Sequence, residues 1–333
     1  MNRQQRIARA KRVSGRVLVA MIAVGAAYES SAALAPAVSS AIGSLTGVRL
    51  FVDGSSAARQ QADSWRKSRP NDAKLMSYIA SQPMARWIGE WTGNVRQDVS
   101  DFTSRAASQG TTPVFVAYDI PSRDCGSYSA GGARDASRYA SWIRSFADGL
   151  AGRRAVVVLE PDALGQMDCL KPDQQAARYR MLNDAVHTLK SAGGVVYIDA
   201  GNAHWVKADV MASRLRQAGI DAADGFALNV SNYFSTSDNV RFGNDLSRRV
   251  GGKHYVIDTS RNGMGGGNGW CNASGQALGA APTTNTGVPL ADAFLWIKHP
   301  GESDGTCNGG PKAGAWWPEY ALGLAQRQFG ATN

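Results

Sequence analysis

Acidic side chains that follow short apolar runs are the residues in this sequence best suited to chemistry. Several such runs end in carboxylates, among them Asp119 with Asp124, Glu160 with Asp162, and, farther on, Asp304. Paired carboxyl groups suit glycoside hydrolysis, in which one protonated acid donates to the leaving oxygen. In the inverting version, a second carboxylate is set back far enough to admit a water molecule. The sequence therefore indicates acid–base chemistry by carboxyl groups.

Motifs for several other chemistries are absent from the sequence. The Gly251-Gly-Lys-His254 stretch lacks the spaced glycine and the hydroxyl of a phosphate loop. The glycine-rich segment from Gly263 to Gly269 lacks GxGxxG spacing, and neither HExxH nor GxSxG occurs. The four histidines suggest no metal site, so we expect neither metal nor cofactor. A phosphate-handling enzyme is a distant alternative.

The positive charge of the chain is concentrated near its N-terminus. Six basic residues and one acid, Glu29, lie in residues 1–35, so without this segment the formal net charge of +9 falls to +4. No Lys/Arg run interleaved with aromatic residues occurs beyond it, and we therefore expect no nucleic-acid partner.

Residues 1–35 have the order of a secretory signal peptide. Six basic residues lie within positions 1–16, an apolar run spans Val17 to Ala27, and small residues extend from Ser30 to Ala35. The apolar run is short for a bilayer span, which favours an export signal over an uncleaved anchor. We expect residues 36–46 to be a short linker and residues 47–333 to be one catalytic domain. The mature protein is expected to be extracellular, or associated with the cell envelope if the anchor is retained.

The four cysteines, Cys125, Cys169, Cys271 and Cys307, are far from any CxxC spacing, which disfavours a zinc site. An even number of cysteines in an exported chain predicts two disulfides. The sequence alone permits three pairings of four cysteines.

Seven short β-rich apolar runs predict a parallel sheet. They cover residues 48–52, 114–118, 155–159, 195–198, 225–228, 254–257 and 293–297. Helical stretches follow most of them, most clearly Ala136 to Leu150 and Pro172 to Ala192. Near-continuous apolar strands with intervening helices suit a sheet that is covered on both faces. Polar residues just past the strands favour a distorted, incomplete α/β barrel that resembles a TIM barrel. A doubly wound open sheet is the alternative.

Ordered segments of the chain resemble the family 6 glycoside hydrolases. Tyr118-Asp-Ile-Pro-Ser-Arg-Asp-Cys125 is similar to one signature of the family, and Val157-Val-Leu-Glu-Pro-Asp-Ala-Leu164 is similar to the segment that carries its acid. Further similar segments follow in family order: 197–205, 229–233, 257–263, 270–271 and 292–305. The resemblance covers roughly residues 47–328, and it implies inverting hydrolysis of β-1,4-glucan without a metal.

Catalytic roles follow from this resemblance residue by residue. Asp162 matches the general acid, and Asp124 matches the aspartate that raises the pKa of that acid and helps to organise the water. Asp304 matches the proposed base. Tyr118 matches a tyrosine that crowds the sugar at the cleavage subsite and favours ring distortion.

Binding residues and disulfides are implied in the same way. The residues matched to glucan binding are Trp87, Asp199, Trp205, Asn232, Trp270, Lys298 and Glu302, with Asp199 near the acid. The implied disulfides are Cys125–Cys169 and Cys271–Cys307. Asp119, Glu160 and Asp258 are instead expected to make structural hydrogen bonds, and Trp296 is expected in the core.

Two positions depart from the family pattern. The serine that helps to place the attacking water in the family corresponds to Ala130 here, with Ser129 beside it. Asn202 replaces an expected histidine. At Ser129 and Ala130, either the loop is shifted by one residue relative to the family, or the attacking water is positioned differently.

The short segment from Asn272 to Asp292 favours an open cleft and endo-acting cleavage. A processive cellobiohydrolase and a non-catalytic glucan-binding protein on the same fold are the alternatives. The presence of Asp124, Asp162 and Asp304 disfavours the binding protein, because binding alone needs none of them. We expect a monomer without an obligate protein partner.

Overall fold

The computed structural model describes residues 45–266 and 269–330, which belong to one compact unit. The predicted signal peptide, and all but the end of the predicted linker, lie outside these residues. The strands are β1 Arg86–Gly89, β2 Val114–Tyr118, β3 Ala155–Leu159, β4 Gly194–Asp199, β5 Gly225–Leu228, β6 His254–Asp258 and β7 Ala291–Leu295. The helices are α1 Ala57–Trp65, α2 Pro70–Ala80, α3 Val95–Ser108, α4 Ala136–Leu150, α5 Pro172–Ser191, α6 Ala208–Gln217, α7 Thr236–Arg249 and α8 Pro318–Phe329.

The seven strands form one parallel sheet whose order follows the chain from β1 to β7. A doubly wound sheet reverses its strand order partway, so the alternative is excluded and the predicted incomplete barrel is confirmed. The edges of the sheet meet at a seam, where Met84 and Trp296 form a parallel bridge. The backbone N–H of Ala85 donates to the carbonyl oxygen of Trp296 at 3.1 Å.

Alternate strand residues supply two separate cores, as the two-residue period of a strand requires. On β2, Val114, Val116 and Tyr118 belong to the core inside the barrel. Phe115 and Ala117, the intervening residues, pack in the layer between the strands and the helices. Tyr118 is the last residue of its strand, so it lies at the carboxyl end of the barrel interior.

Helix α4 shows how local sequence sets the outer layer. The side chain of Asp135 accepts a hydrogen bond from the backbone N–H of Arg138 at 2.9 Å and caps the helix. Tyr139, Ile143, Phe146 and Leu150 are all buried, because their spacing places them on one face. The predicted bounds of α4 are confirmed, and α5 ends one residue before the predicted bound.

A third apolar cluster packs at the seam. It combines residues of α1, α2 and α8 with Trp296, which is 1% exposed and, as predicted, lies in the core. Met84 packs against the same cluster. These helices therefore support the part of the barrel wall where β1 and β7 have no continuous ladder.

The strand prediction was wrong at 48–52. Around Leu50 this segment makes an isolated bridge to Thr112, ahead of β2. The edge of β2 from Phe115 onward is taken by β1, whose four residues were not predicted. The last strand also lies two residues earlier than predicted, at Ala291–Leu295. In the described part of the chain, no helix is long and apolar enough to span a bilayer.

Candidate active site

Strained backbone marks the carboxyl ends of β3 and β5. Glu160 and Asp162 have φ of 51° and 68°, and Asn229 and Ser231 have φ of 64° and 60°. Residues with side chains rarely occupy this left-handed region, and such strain persists where surrounding contacts hold it. Asn229 shows such contacts, because its amide donates to the carbonyl oxygen of Asp258 at 2.9 Å. These four residues, of which Glu160 and Asn229 are fully buried, follow the carboxyl ends of the two strands and are called here the polar rim.

A cleft crosses this rim. It consists of two adjoining cavities of about 760 Å³ and about 730 Å³, called here the first and second cavity. Trp87, Tyr118, Ser129 and Lys298 line both, so the two form one groove. The other predicted site residues in the first cavity are Asp124, Asp162, Trp205, Asn232, Trp270 and Asp304. Glu302 lines the second cavity.

Asp162 has the environment of a carboxylic acid that keeps its proton. Burial, followed by the negative charges of Asp199, Asp124 and Asp304, raises its pKa well above the ordinary value. Removing water and adding like charges both disfavour the ionised form. Asp162 also lines the first cavity, where its proton can reach a bound ligand.

Asp199 was matched to a glucan-binding residue near the acid, and it lies against the backbone of Asp162. It is 1% exposed and lines neither cavity. Its Oδ1 accepts the backbone N–H groups of Asp162 at 3.0 Å and Gly201 at 3.1 Å. Burial raises the pKa of Asp199 to about 7. Asp199 is the last residue of β4, and its buried carboxyl group holds the backbone of Asp162 in place.

This geometry predicts a shifted pH profile for Asp199→Asn. The amide oxygen can still accept both N–H groups, but the negative charge is lost, so the pKa of Asp162 should fall. The resemblance implies that Asp162 is the catalytic acid, which acts while protonated, so the alkaline limb of kcat/KM should move to lower pH. Profiles on a soluble cello-oligosaccharide, with the exposed-surface variant Asp148→Asn as control, test this. Lower activity without a shift of the alkaline limb would mean that Asp199 has a structural role and does not set the pKa of Asp162.

Asp124 lies on a loop that is held from several sides. Its Oδ2 accepts the backbone N–H of Ser129 at 2.7 Å, and its Oδ1 accepts the amide of Gln166 at 2.8 Å. Arg123, 4% exposed, donates to the carbonyl oxygens of Tyr118 and Ser129, each at 2.8 Å. A disulfide joins Cys125 to Cys169, as the resemblance implied. The carboxylate is therefore placed by side-chain, backbone and covalent contacts.

The hydroxyl residue of this loop is displaced from the family position. Ser129 lines both cavities, whereas Ala130 lines the second cavity alone. Ser129 also donates its backbone N–H to Asp124. Of Ser129 and Ala130, Ser129 therefore supplies a hydroxyl group to the cavity wall next to Asp124. Asn202 lines the first cavity, and its Oδ1 accepts the N–H of His204 at 3.0 Å.

Asp304 is buried among hydrogen-bond donors. Its Oδ2 accepts from Arg261 at 2.9 Å, Tyr233 at 3.1 Å and the backbone N–H of Asn272 at 2.9 Å. Its Oδ1 lies 3.7 Å from Lys298 Nζ. Burial acts to raise the pKa of Asp304, but the charges of Arg261 and Lys298 outweigh it and hold that pKa below the ordinary value. Asp304 is therefore ionised where Asp162 is protonated.

The second disulfide, Cys271–Cys307, supports the loop that carries Asp304, again as the resemblance implied. Across the site, Tyr128 and Trp270 bring their rings to 5.9 Å. These rings are 47% and 50% exposed, so the contact joins the Asp124 loop to the segment before Cys271 at the surface.

Tyr118 lies between the two cavities. It is 6% exposed, Trp87 meets its ring edge-on at 5.2 Å, and the guanidinium carbon of Arg123 lies 4.3 Å from its ring centre. Burial and the charge of Asp162 raise its pKa well above 10, so it remains a neutral phenol. The ring thus forms a rigid, uncharged floor beside Asp162.

Trp205 forms a flat platform because glycines lie under it. A Cβ at Gly165 would fall 2.6 Å from the indole, and one at Gly201 would fall 3.2 Å from it. Any side chain at Gly165 would displace the ring. The indole is 41% exposed, which leaves surface for a sugar. Trp87, by contrast, is anchored by its Nε1, which donates to the carbonyl oxygen of Ile297 at 2.8 Å.

Glu160 and Asp258 make the structural hydrogen bonds that were expected. Glu160 accepts the backbone N–H groups of Asp119 and Ile120 at 3.0 to 3.1 Å and ties β3 to β2. Asp258 accepts from Ser231 and Lys298 at 3.0 Å, which joins three strand ends. Asp119 lines neither cavity, and burial raises its pKa to about 7.

Several residues of the site were not assigned a role from sequence, among them Arg261, Tyr233 and Gln166. Each lies in a segment quoted for the resemblance or close to Asp162, but nothing in its spacing indicates a partner. Arg261, for example, follows β6 by three residues and meets Asp304 from a separate loop. Among the described residues, no group of three or more His, Cys, Asp or Glu could hold a metal ion.

Comparison with known proteins finds one matching family and relatives that share a similar name. Residues 45–328 match the family described as "Glycosyl hydrolases family 6". Endoglucanase A of Cellulomonas fimi is 48% identical over 266 residues, which cover 79% of this chain and 58% of that protein. Endoglucanase 1 of Streptomyces halstedii is 44% identical over 273 residues, which cover 78% of this chain and 84% of that protein.

Solved structures agree with the sequence relatives. The endoglucanase Cel6 of Mycobacterium tuberculosis, in complex with methyl-cellobiosyl-4-deoxy-4-thio-β-D-cellobioside, superposes with a TM-score of 0.82 and 43% identity. The match covers 86% of this chain and 99% of that one. A cellobiohydrolase core domain of Chaetomium thermophilum matches at 26% identity, a TM-score of 0.73, and coverage of 85% and 98%. With its family match from residue 45 to residue 328, the chain belongs to family 6 of the glycosyl hydrolases.

Proposed function

We propose that this chain is an inverting endo-β-1,4-glucanase that acts as a monomer on cellulose or soluble β-glucan. The observation that carries the proposal is the contrast between two carboxyl groups in one cleft. Asp162 keeps its proton, and Asp304 is held ionised by Arg261 and Lys298. Opposite protonation states at one pH are what acid–base hydrolysis needs.

The proposed reaction divides the work among three carboxyl groups. Asp162 donates a proton to the glycosidic oxygen as the bond to the anomeric carbon breaks. A water molecule attacks the opposite face of the sugar, and Asp124 with Ser129 forms the wall nearest to that path. Asp304 receives the proton of the water, either directly or through a second water. Tyr118 crowds the sugar between the cavities and favours a distorted ring.

Endo action is supported by the groove and by the relatives. The bacterial endoglucanases are 44% and 48% identical, whereas the Chaetomium cellobiohydrolase is 26% identical. The test is carboxymethylcellulose viscosity against reducing ends. We expect viscosity to fall before many reducing ends appear, since internal cuts shorten chains fastest. Nearly pure early cellobiose with unchanged viscosity would support the processive alternative, and no cleavage at all would support the glucan-binding protein.

We also propose that residues 1–35 direct export and that the mature protein is extracellular. Two disulfides in the described part support this, because disulfides persist in oxidising compartments. The mature N-terminus should lie between Ala33 and Pro36, as N-terminal sequencing of secreted protein would show. Full-length chain found solely in membrane fractions would support an anchor instead.

A further inference from the structure

His299 lies just past β7, and both of its ring nitrogens face oxygen acceptors. Nδ1 is 2.7 Å from Glu302 Oε1, and Nε2 is 2.5 Å from the carbonyl oxygen of Ala85. A carbonyl oxygen and an ionised carboxylate can each accept a hydrogen bond but cannot donate one. Both ring nitrogens must therefore donate, and an imidazole ring has two N–H groups in its charged form alone.

The two acceptors belong to different parts of the site. Glu302 lines the second cavity, and its backbone N–H donates to the carbonyl oxygen of His299 at 3.1 Å. Ala85 lies at the seam, where its N–H donates to Trp296. The ring of His299 thus connects the wall of the second cavity to the junction of the first and last strands.

The charges around His299 favour the imidazolium. Burial and the ammonium of Lys298 act to lower its pKa, but the charge and hydrogen bond of Glu302 and the carbonyl oxygen of Ala85 raise it above the ordinary value. Burial acts to raise the pKa of Glu302, and the charges of His299, Lys298 and Arg261 lower it overall. The other charged groups lining this cavity are Arg86, Asp98, Arg123 and Lys312; Arg86 and Asp98 are paired at 2.7 Å.

We propose that His299 is a positioning residue that acts as an imidazolium and holds Glu302 ionised and directed at the second cavity. Glucan binding in that cavity is then pH-dependent. This inference rests on the proposed function for its substrate, but the protonation of His299 does not depend on it.

The sign of the pH effect follows from the two contacts. Below the folded pKa of His299, both hydrogen bonds are present. As pH rises through that pKa, one nitrogen loses its proton and then faces an acceptor, so the ring can no longer hold both Glu302 and Ala85. Because Glu302 binds the glucan and does not react, KM should rise while kcat changes little.

The first test is ¹⁵N NMR of the histidine rings in the full chain. The chain has four histidines, and spectra of His299→Gln and His187→Gln assign two of them. We expect both nitrogens of His299 to be protonated at pH 7, where an ordinary histidine, with a pKa of about 6.5, is mostly neutral. A neutral His299 at pH 7 would overturn the inference whether or not the protein cleaves glucan.

The second test separates binding from turnover. With cellohexaose, which is long enough to enter both cavities, the KM of the unaltered protein should rise about tenfold across the His299 titration. His299→Gln and Glu302→Gln should each show the higher KM at all pH values, with kcat within about twofold. The double variant should show the same KM as either single variant. His299→Gln with an unaltered KM at pH 6 would refute the positioning role, and near-UV circular dichroism checks that the variants fold.

Discussion

Replacing Asp162 by Asn should lower kcat on cello-oligosaccharides by about 10²–10⁴-fold, the contribution typical of a general acid. The amide preserves the shape of the side chain and lines the same cavity, but it has no acidic proton to donate. Aryl cellobiosides with good leaving groups should lose much less activity, because their departing oxygen needs little protonation. Steady-state rates on both substrate types measure the difference.

The matched control is Asp148→Asn, the same change on an exposed position of α4 that lines neither cavity. It should leave both rates unchanged. NMR of the first product formed by the unaltered protein gives a second reading of the mechanism. Inversion releases the α-anomer, so a β-configured first product would contradict the roles assigned to all three aspartates. Equal losses on both substrate types would show that Asp162 contributes something other than a proton.

Replacing Arg261 by Met should reduce the free energy of unfolding by about 3–5 kcal/mol, the cost of removing one partner of a buried ion pair. The guanidinium is fully buried, and its Nη1 is 2.9 Å from Asp304 Oδ2. Without it, Asp304 keeps a cation at 3.7 Å, the ammonium of Lys298. Denaturant unfolding measures the loss, and activity should fall as well because Asp304 then takes up a proton more readily.

The matched comparison is the double variant Arg261→Met with Asp304→Asn. It removes both charges, so it should be more stable than Arg261→Met alone. The pH dependence has a defined sign. Asp304 has a lowered folded pKa, so its stabilisation is present above the unfolded value of about 3.9 and is lost as pH falls through the folded pKa. The gap between the unaltered protein and Arg261→Met should therefore shrink in acid. A constant gap would mean that lost packing dominates.

The strands that were predicted from sequence are those buried on both faces. All five residues of β2 and of β3 are buried, and uninterrupted apolar runs are visible in one dimension. Strand β1 has four residues, two of them half-buried, and resembles a loop in sequence. The run at 48–52 is also mostly apolar, although Arg49 interrupts it, but β1 and not this run pairs with β2 from Phe115 onward. Competition for an edge has no local signal.

The site residues likewise divide into those that the sequence pointed out and those that it did not. Asp162, Asp124 and Asp304 were singled out because each lies in a segment whose order resembles the family. Arg261 and His299 were assigned no role, because Arg261 meets Asp304 from a separate loop and His299 contacts Ala85, 214 positions away, as well as nearby Glu302. Asp199 was matched to a glucan-binding residue near the acid, and in the structure it lies beside Asp162 but is buried. A strand-end carboxylate can point into the cleft or support the neighbouring backbone. Sequence does not distinguish these two orientations.

The seam also affects the order in which parts of the protein fold and unfold. Each strand pairs with its neighbour in the chain, so most of the sheet can assemble through local contacts. Closing the seam instead joins Trp87 to Ile297, 210 positions apart, and the entropy cost of closure grows with loop length. The seam should close last during folding and open first on warming. Because Trp87 and Lys298 line both cavities, catalytic activity should vanish while amide protons of β2 to β5 still resist hydrogen exchange.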